Sequence, residues 1–309
     1  MRRRAAANTS PGACISEGLE DRLLLTAYVV DTVDDSALVA DGMLSLREAI
    51  TAANTNLPYL DAAAGEVGPG VVDTITFAAS LSGQTITLNG TSLLILDDLS
   101  ISDSNGSPIT IDAADASRIF EIGTGTGSVS AAISNVMITG GQEIRGGGIF
   151  VGSGESLVLD SVTITGNSAI GPIGSDGGGG VYNDGGTLTI SNSVVSDNLA
   201  TGVSGSGGGL FSAGGSAIIM NSIFQGNSAN RAGGGIEVLN GDVSILDSDL
   251  SGNDVSGGAG TANPGNGGGL HITGGGMVTI TGGTVNGNTA ANEGGGLWNH
   301  AASTLTVSR

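Results

Sequence analysis

The chain has 309 residues, of which 57 are Gly and only one is Trp, three are Tyr and five are Phe, a composition that favours a repeat architecture over an ordinary packed core. Its nine basic residues, all Arg, face 29 acidic ones, and the net charge of −20 excludes nucleic-acid binding because phosphate contacts need clustered cations. A single cysteine, Cys14, excludes an intramolecular disulfide.

The first part of the chain predicts a leader and a cap. Residues 1–27 begin with positive charge and predict an export or leader-like segment, although no apolar signal-peptide run follows. No stretch approaches the roughly 18 apolar residues of a membrane-spanning helix, so we predict no transmembrane span. Residues 28–70 predict an N-terminal cap with one helix at about 45–54, where Ser45 and Glu48 occupy the positions of a capping box.

Residues 71–309 consist of short segments in which apolar and polar residues alternate, such as DTITF, QTITL and TLTIS, and this is the period of a strand. In the second half, each repeat opens with a glycine triplet and an aliphatic anchor and closes with Asn. The anchors are Ile149, Val181, Leu210, Ile236, Leu270 and Leu297, and the closing residues are Asn167, Asn198, Asn227, Asn253 and Asn288. Anchor and closing Asn are always 17 or 18 residues apart, so the length variation lies in the loop before the next triplet.

Three short strands per repeat, each paired with its copy in the next repeat, predict an all-β parallel β-helix. One inward apolar file is predicted at Val158, Ile190, Ile219, Ile245 and Ile280, and a second at Ile164, Val195, Phe224, Leu250 and Val285. Between the files, a structural turn ladder of stacked Asx side chains is predicted at Asp160, Asn192, Asn221 and Asp247.

The residue after each anchor forms a candidate binding column, which consists of Phe150, Tyr182, Phe211, Glu237, His271 and Trp298. Since the anchors point inward, strand alternation predicts that this column points outward as an exposed ladder beside the variable loops. Aromatic faces there would suit sugar rings or a cell-surface partner protein. The alternative is that the rings stack to stabilise adjacent coils and are covered by the loops.

The stretches LEDRLLLTAYVVDTVDD, LSLREAITAANTN and DTITF, followed by the glycine-triplet coils, resemble the CSLREA-type right-handed parallel β-helix proteins of bacterial surfaces, which are abundant in planctomycetes. Leu44 stands where the family name has Cys. The coils are also similar, more loosely, to repeats of polymorphic outer-membrane proteins and to the pectin-lyase-like fold. The resemblance implies a right-handed coil, export, and an extracellular, cell-surface or outer-membrane location.

The pectin-lyase-like fold hosts lyases and hydrolases, so the question of catalysis stays open, and the residues favour a protein that is not an enzyme. Glu237 and His271 are neighbours in the column and could act as an acid and base pair, or they could be two solvated rungs. No cofactor is predicted. Calcium bound by loop carboxylates is an alternative without a matching motif.

The sequence therefore predicts a non-catalytic secreted or cell-surface β-helix that acts as a stalk, adhesin or polysaccharide-contacting module. The alternatives are a polysaccharide lyase or glycoside hydrolase and the passenger segment of an autotransporter or polymorphic outer-membrane protein. The ending STLTVSR predicts an incomplete C-terminal coil, whose open edge is expected to associate with other chains.

Overall fold

A computed structural model describes residues 26–36, 39–68, 70–123, 128–255 and 265–309. The leader-like segment predicted for residues 1–27 lies outside these ranges except for its last two residues. Over the described ranges, none of the helical structure is both long and apolar enough for a membrane crossing. The described chain is almost entirely strand and turn, with one α-helix, α1, at Leu46–Thr55 and a short 3₁₀ turn at Ala79–Leu81.

Most strands of the described chain contain two to five residues. In chain order they are β1 Ala27–Val30, β2 Asp73–Phe77, β3 Thr85–Thr87, β4 Leu93–Ile95, β5 Leu99–Ser102, β6 Ile109–Asp112, β7 Phe120–Ile122, β8 Ser130–Ser134, β9 Val136–Thr139, β10 Gln142–Glu143, β11 Ile149–Val151, β12 Ser156–Asp160, β13 Thr163–Thr165, β14 Ser168–Ala169, β15 Val181–Ser191, β16 Val194–Ser196, β17 Leu199–Ala200, β18 Leu210–Met220, β19 Ile223–Gln225, β20 Ser228–Ala229, β21 Ile236–Val238, β22 Asp242–Leu246, β23 Asp249–Ser251, β24 Asp254–Val255, β25 Leu270–Ile272, β26 Met277–Thr281, β27 Thr284–Asn286, β28 Thr289–Ala290, β29 Leu297–Asn299 and β30 Thr304–Ser308.

These strands form three parallel sheets, which contain 16, eight and six strands. The eight-stranded sheet takes one strand from each turn of the chain, from β3 to β27, so the described residues make about eight turns of a parallel β-solenoid. The 16-stranded sheet, called the long sheet here, has two arms that meet at a bend, which β15 and β18 cross as continuous strands. The predicted all-β parallel β-helix is confirmed.

The core is a set of aliphatic files that run along the solenoid axis. The second predicted file is inward, with Ile164, Val195, Phe224 and Leu250 fully buried and Val285 partly buried. In the first file the prediction for Val158 is wrong, because this side chain is 40% exposed and Leu159 pairs with Ile190 in its place. The connection from β11 to β12 is one residue longer than the bend within β15. After this connection, a residue at the same distance from the aliphatic anchor as its counterpart in β15 therefore faces the opposite side of the sheet.

Helix α1 packs against β1, β2 and β4 at the start of the solenoid. The capping box is present, since Ser45 Oγ accepts a bond from the Glu48 backbone N–H while Glu48 accepts one from the Ser45 N–H. Arg47 fastens the helix to the coil through Asp35 at 2.7 Å and the carbonyl oxygens of Thr91 and Ser92 at 2.8 and 2.9 Å. The polar residues of the SLREA stretch therefore have structural partners that hold α1 against the coil.

Candidate functional site

The six residues of the candidate column occupy one continuous row of the long sheet. Parallel pairing places Phe150 beside Tyr182 and Tyr182 beside Phe211. The row then continues through Glu237 and His271 to Trp298. The sequence alignment on the glycine triplets therefore gives the register of this row correctly, and each side chain meets its counterpart from the next turn.

The expectation that this row is exposed is wrong for its central members. Tyr182, Phe211, Glu237 and His271 are each at most 2% exposed, while Phe150 and Trp298 are half-buried. The row does point away from the aliphatic core, but the loops between turns fold over it. The hydroxyl of Tyr182, for example, donates a hydrogen bond to the carbonyl oxygen of Ser175 in the preceding loop at 3.1 Å.

The aromatic rings stack on one another along the solenoid axis. The ring centres of Phe150 and Tyr182 are 5.6 Å apart at an interplanar angle of 5°, and those of Tyr182 and Phe211 are 5.0 Å apart at 7°. Arg118 lies over Phe150 at 5.0 Å and Arg145 over Tyr182 at 5.6 Å, so guanidinium groups cover the ring stack. Burial also raises the pKa of the Tyr182 hydroxyl to about 12. This arrangement matches the alternative in which stacked rings stabilise adjacent turns.

Glu237 and His271 form a closed polar cluster. His271 Nδ1 lies 2.8 Å from Glu237 Oε2, and the Thr273 hydroxyl bonds to both side chains. Arg231 approaches Glu237 at 3.9 Å, and Trp298 stacks on the His271 ring at 4.4 Å and 9°. Each residue of the Glu237–His271 pair is 1% exposed, so a polymeric substrate has no direct approach to either group.

Three of the four residues predicted for the turn ladder occupy equivalent positions in successive turns. Asn192, Asn221 and Asp247 follow one another in register, and each has a left-handed backbone with φ between 45° and 52°. In the earlier turn this conformation belongs to Ser161, and Asp160 lies one residue before it for the same reason that shifts Val158. Asp160 is nevertheless linked to the ladder, because it accepts hydrogen bonds of 2.7 Å from the Ser191 hydroxyl and the Asn192 amide, and these bonds lower the pKa of its carboxyl group.

The closing asparagines form a second, buried ladder. The sequence predicted these residues only as the ends of the repeats. The Nδ2 amide of Asn167, Asn198 and Asn227 donates to Oδ1 of the next Asn at 3.0 Å, and the same Oδ1 accepts the backbone N–H of the preceding Asn at 3.1 Å. Asn253 continues the ladder to Asn288 at 2.9 Å. Each amide also donates to a backbone carbonyl oxygen of the turn before it, such as that of Val195 for Asn227. The constant distance of 17 or 18 residues between anchor and Asn is the feature of the sequence from which this ladder could have been predicted.

The glycine triplets leave space for this ladder. A Cβ atom on Gly180 would lie 2.6 Å from the carbonyl oxygen of Gly209 and 3.2 Å from the side chain of Asn198. Gly178 has φ +64°, a conformation that few other residues adopt. The absence of side chains in the triplet allows the Asn side chain to pack against its backbone, and this explains why triplet and Asn recur together.

In the described part of the chain, no three His, Cys, Asp or Glu side chains converge as they would around a metal ion. No protein-family model, curated protein or solved structure matches the chain.

Proposed function

We propose that this protein is a non-catalytic β-helix stalk on the outside of the cell, of the CSLREA type that its N-terminal stretches resemble. The observation that carries the proposal is the buried Asn ladder, which extends through five successive turns without an unpaired amide among its first four members. Such a ladder joins each turn to the next by side-chain bonds as well as by the strands. It favours a stiff rod that sets a distance between its ends.

The burial of the candidate column supports a structural role over a catalytic one. An acid and base pair must reach the substrate to transfer a proton. Glu237 and His271 are instead closed off by Trp298, Thr273 and Arg231, and the rings of the column are used in contacts between turns. A polysaccharide lyase or hydrolase would need another site.

Two measurements on the same protein test this proposal. Antibodies against the purified chain should label intact cells that produce it, without permeabilisation. The purified chain should release no reducing ends or unsaturated products from pectin, alginate or sulfated glycans. Labelling that requires lysis contradicts the proposed location, and product release that persists after repurification contradicts the non-catalytic role.

A further inference from the structure

The outer face of the long sheet carries a shallow groove of about 380 Å³ across β18, β22, β26 and β30. Its floor is made of outward side chains from strands in register, so that Ile218, Ser244, Thr279 and Thr306 form one row. We call this surface the hydroxyl groove. It lies on the arm of the long sheet that does not carry the aromatic column.

The polar atoms of the hydroxyl groove are not used by the fold. The side-chain hydroxyls of Ser216, Ser244, Thr279, Thr304 and Thr306 have no hydrogen-bond partner within the described chain. Serine hydroxyls at the nearby turns behave differently. Those of Ser193, Ser222 and Ser248 each accept a backbone N–H of the preceding turn at 3.1 Å. The groove thus presents a row of free donors and acceptors on a rigid support, which favours recognition of a hydroxyl-rich ligand.

The charge of the hydroxyl groove restricts what can occupy it. Asp242 is its one charged lining residue, and the lining contains no Arg, in a chain of net charge −20. A polyanion such as polyuronate or nucleic acid would find no cation to pair with and would be repelled by the whole protein. A second copy of the chain carries the same net charge and would be repelled in the same way. A basic partner would have little reason to select this groove, because it holds only one of the 29 acidic residues of the chain.

The groove also offers apolar surface between its hydroxyls. Met277 and Ile218 are 54% and 38% exposed, and the threonines add methyl groups beside their hydroxyls. A neutral sugar chain has the matching pattern, because each ring presents C–H surface together with hydroxyls. The outward side chains of successive strands in the groove are about 4.8 Å apart along the solenoid axis. An extended ligand could therefore contact several turns in the same way.

We propose that the hydroxyl groove binds a segment of neutral polysaccharide. The inference rests on the proposed extracellular stalk function and names the class of ligand that the stalk contacts. Binding is through hydrogen bonds from Ser and Thr hydroxyls and through contacts of sugar C–H groups with Met277 and Ile218. No bond of the ligand is broken.

Affinity electrophoresis in gels that contain soluble mixed-linkage β-glucan, galactomannan or dextran tests this proposal, with alginate and polygalacturonate as anionic counterparts. The groove variant Ser244→Asp/Thr279→Glu places two carboxylates under the ligand. The control variant Gln225→Glu/Asn286→Asp adds the same charge at exposed positions of the eight-stranded sheet. Circular dichroism spectra that match those of the unaltered protein establish that both variants fold.

At least one neutral polysaccharide is expected to retard the unaltered protein and the control variant, with the dissociation constant of the groove variant raised about tenfold or more, equivalent to about 1.4 kcal/mol. Three outcomes overturn the inference: no neutral polysaccharide retards the protein, the groove variant is retarded equally, or an anionic polymer binds more tightly. A concentration-dependent dimer that the groove variant abolishes would assign the groove to self-association instead. Cell-surface labelling is independent of these gels, so failure of the groove leaves the stalk proposal separately testable.

Discussion

Replacement of Asn227 by Ala should destabilise the solenoid far more than any exposed substitution in the same turn. Asn227 Oδ1 accepts both the backbone N–H and the side-chain amide of Asn198, at 3.1 and 3.0 Å. Its own amide donates to Asn253 Oδ1 at 3.0 Å and to the carbonyl oxygen of Val195 at 2.9 Å. All of these groups are buried, so no water is at hand to replace the lost bonds.

The size of the effect follows from the groups left unpaired. The backbone N–H of Asn198 loses its only partner in the described chain, and its side-chain amide loses one of two. A buried donor or acceptor without a partner costs about 1–3 kcal/mol, so two such donors, with the acceptors weakened as well, should lower the free energy of unfolding by about 3–5 kcal/mol. Asn227→Asp preserves the volume but replaces the amide donor with an oxygen that would face the carbonyl oxygen of Val195 and Oδ1 of Asn253, and when ionised it buries a negative charge. It should also be clearly destabilising.

Guanidinium-induced unfolding, followed by far-ultraviolet circular dichroism, measures this difference. Gln225→Ala is the matched control, because Gln225 lies two residues earlier in the same turn with an exposed side chain, and its effect should stay within about 0.5 kcal/mol. If Asn227→Ala and Gln225→Ala shift the free energy of unfolding equally, the Asn ladder does not hold the turns together, and the reasoning from its bonds fails.

Three further predictions concern the ring stack and the register. Phe211→Ala, which empties a fully buried position, should cost about 3–5 kcal/mol in the same unfolding assay, and a loss below about 1 kcal/mol would show that the ring is not packed between turns. Leu159→Asp should prevent folding, whereas Val158→Asp should leave the circular dichroism spectrum and the unfolding midpoint nearly unchanged; the reverse result would restore the register expected from sequence. Burial raises the pKa of Tyr28 and Tyr182 to about 12, so ultraviolet titration should show both ionising near pH 12 in the native protein and near pH 10 in urea. Since the native pKa is the higher one, stability should fall as the pH rises from about 10 to 12, and Tyr182→Phe should weaken that fall; a native titration near pH 10 would contradict the burial.

The repeat pattern in the sequence was sufficient to predict the parallel stacking. Similar residues recur at the same distance from each glycine triplet, and such residues lie in files when the turns stack. The pairing of Phe150 with Tyr182 and of Tyr182 with Phe211 follows directly from the glycine triplets. The error at Val158 arose from one extra residue at the bend. The 18-residue distance from Ile149 to Asn167, against 17 from Val181 to Asn198, already contained that signal.

The burial of the column could not be read from the same pattern. Strand alternation tells on which side of the sheet a residue lies, and it placed Tyr182 correctly on the side away from the core. Whether that side meets water depends on the loops, which have no period and differ in length from turn to turn. The contact between the Tyr182 hydroxyl and the Ser175 carbonyl oxygen is of this kind.

The hydroxyl groove was likewise not predicted, although its residues lie in recognisable strands. Ser and Thr are ordinary residues on the outer face of a sheet, and their number alone indicates no ligand. Only the structure shows that the hydroxyls of Ser244 and Thr279 lie side by side without partners in the described chain, while that of Ser222 accepts the backbone N–H of Ser193 and donates to the carbonyl oxygen of Met220.

Spin-label distances along one file of the long sheet test the stacking of the turns most directly. In a Cys14→Ser background, one label is placed at Val158 by Val158→Cys and the second, in separate proteins, at Ser244, Thr279 or Thr306, which occupy later turns of the same row. The distance to Val158 should increase by about 4.8 Å per turn from one protein to the next. Distances that do not rise in such steps, or that spread broadly in every pair, would contradict the stacked solenoid and the buried column and open groove that depend on it.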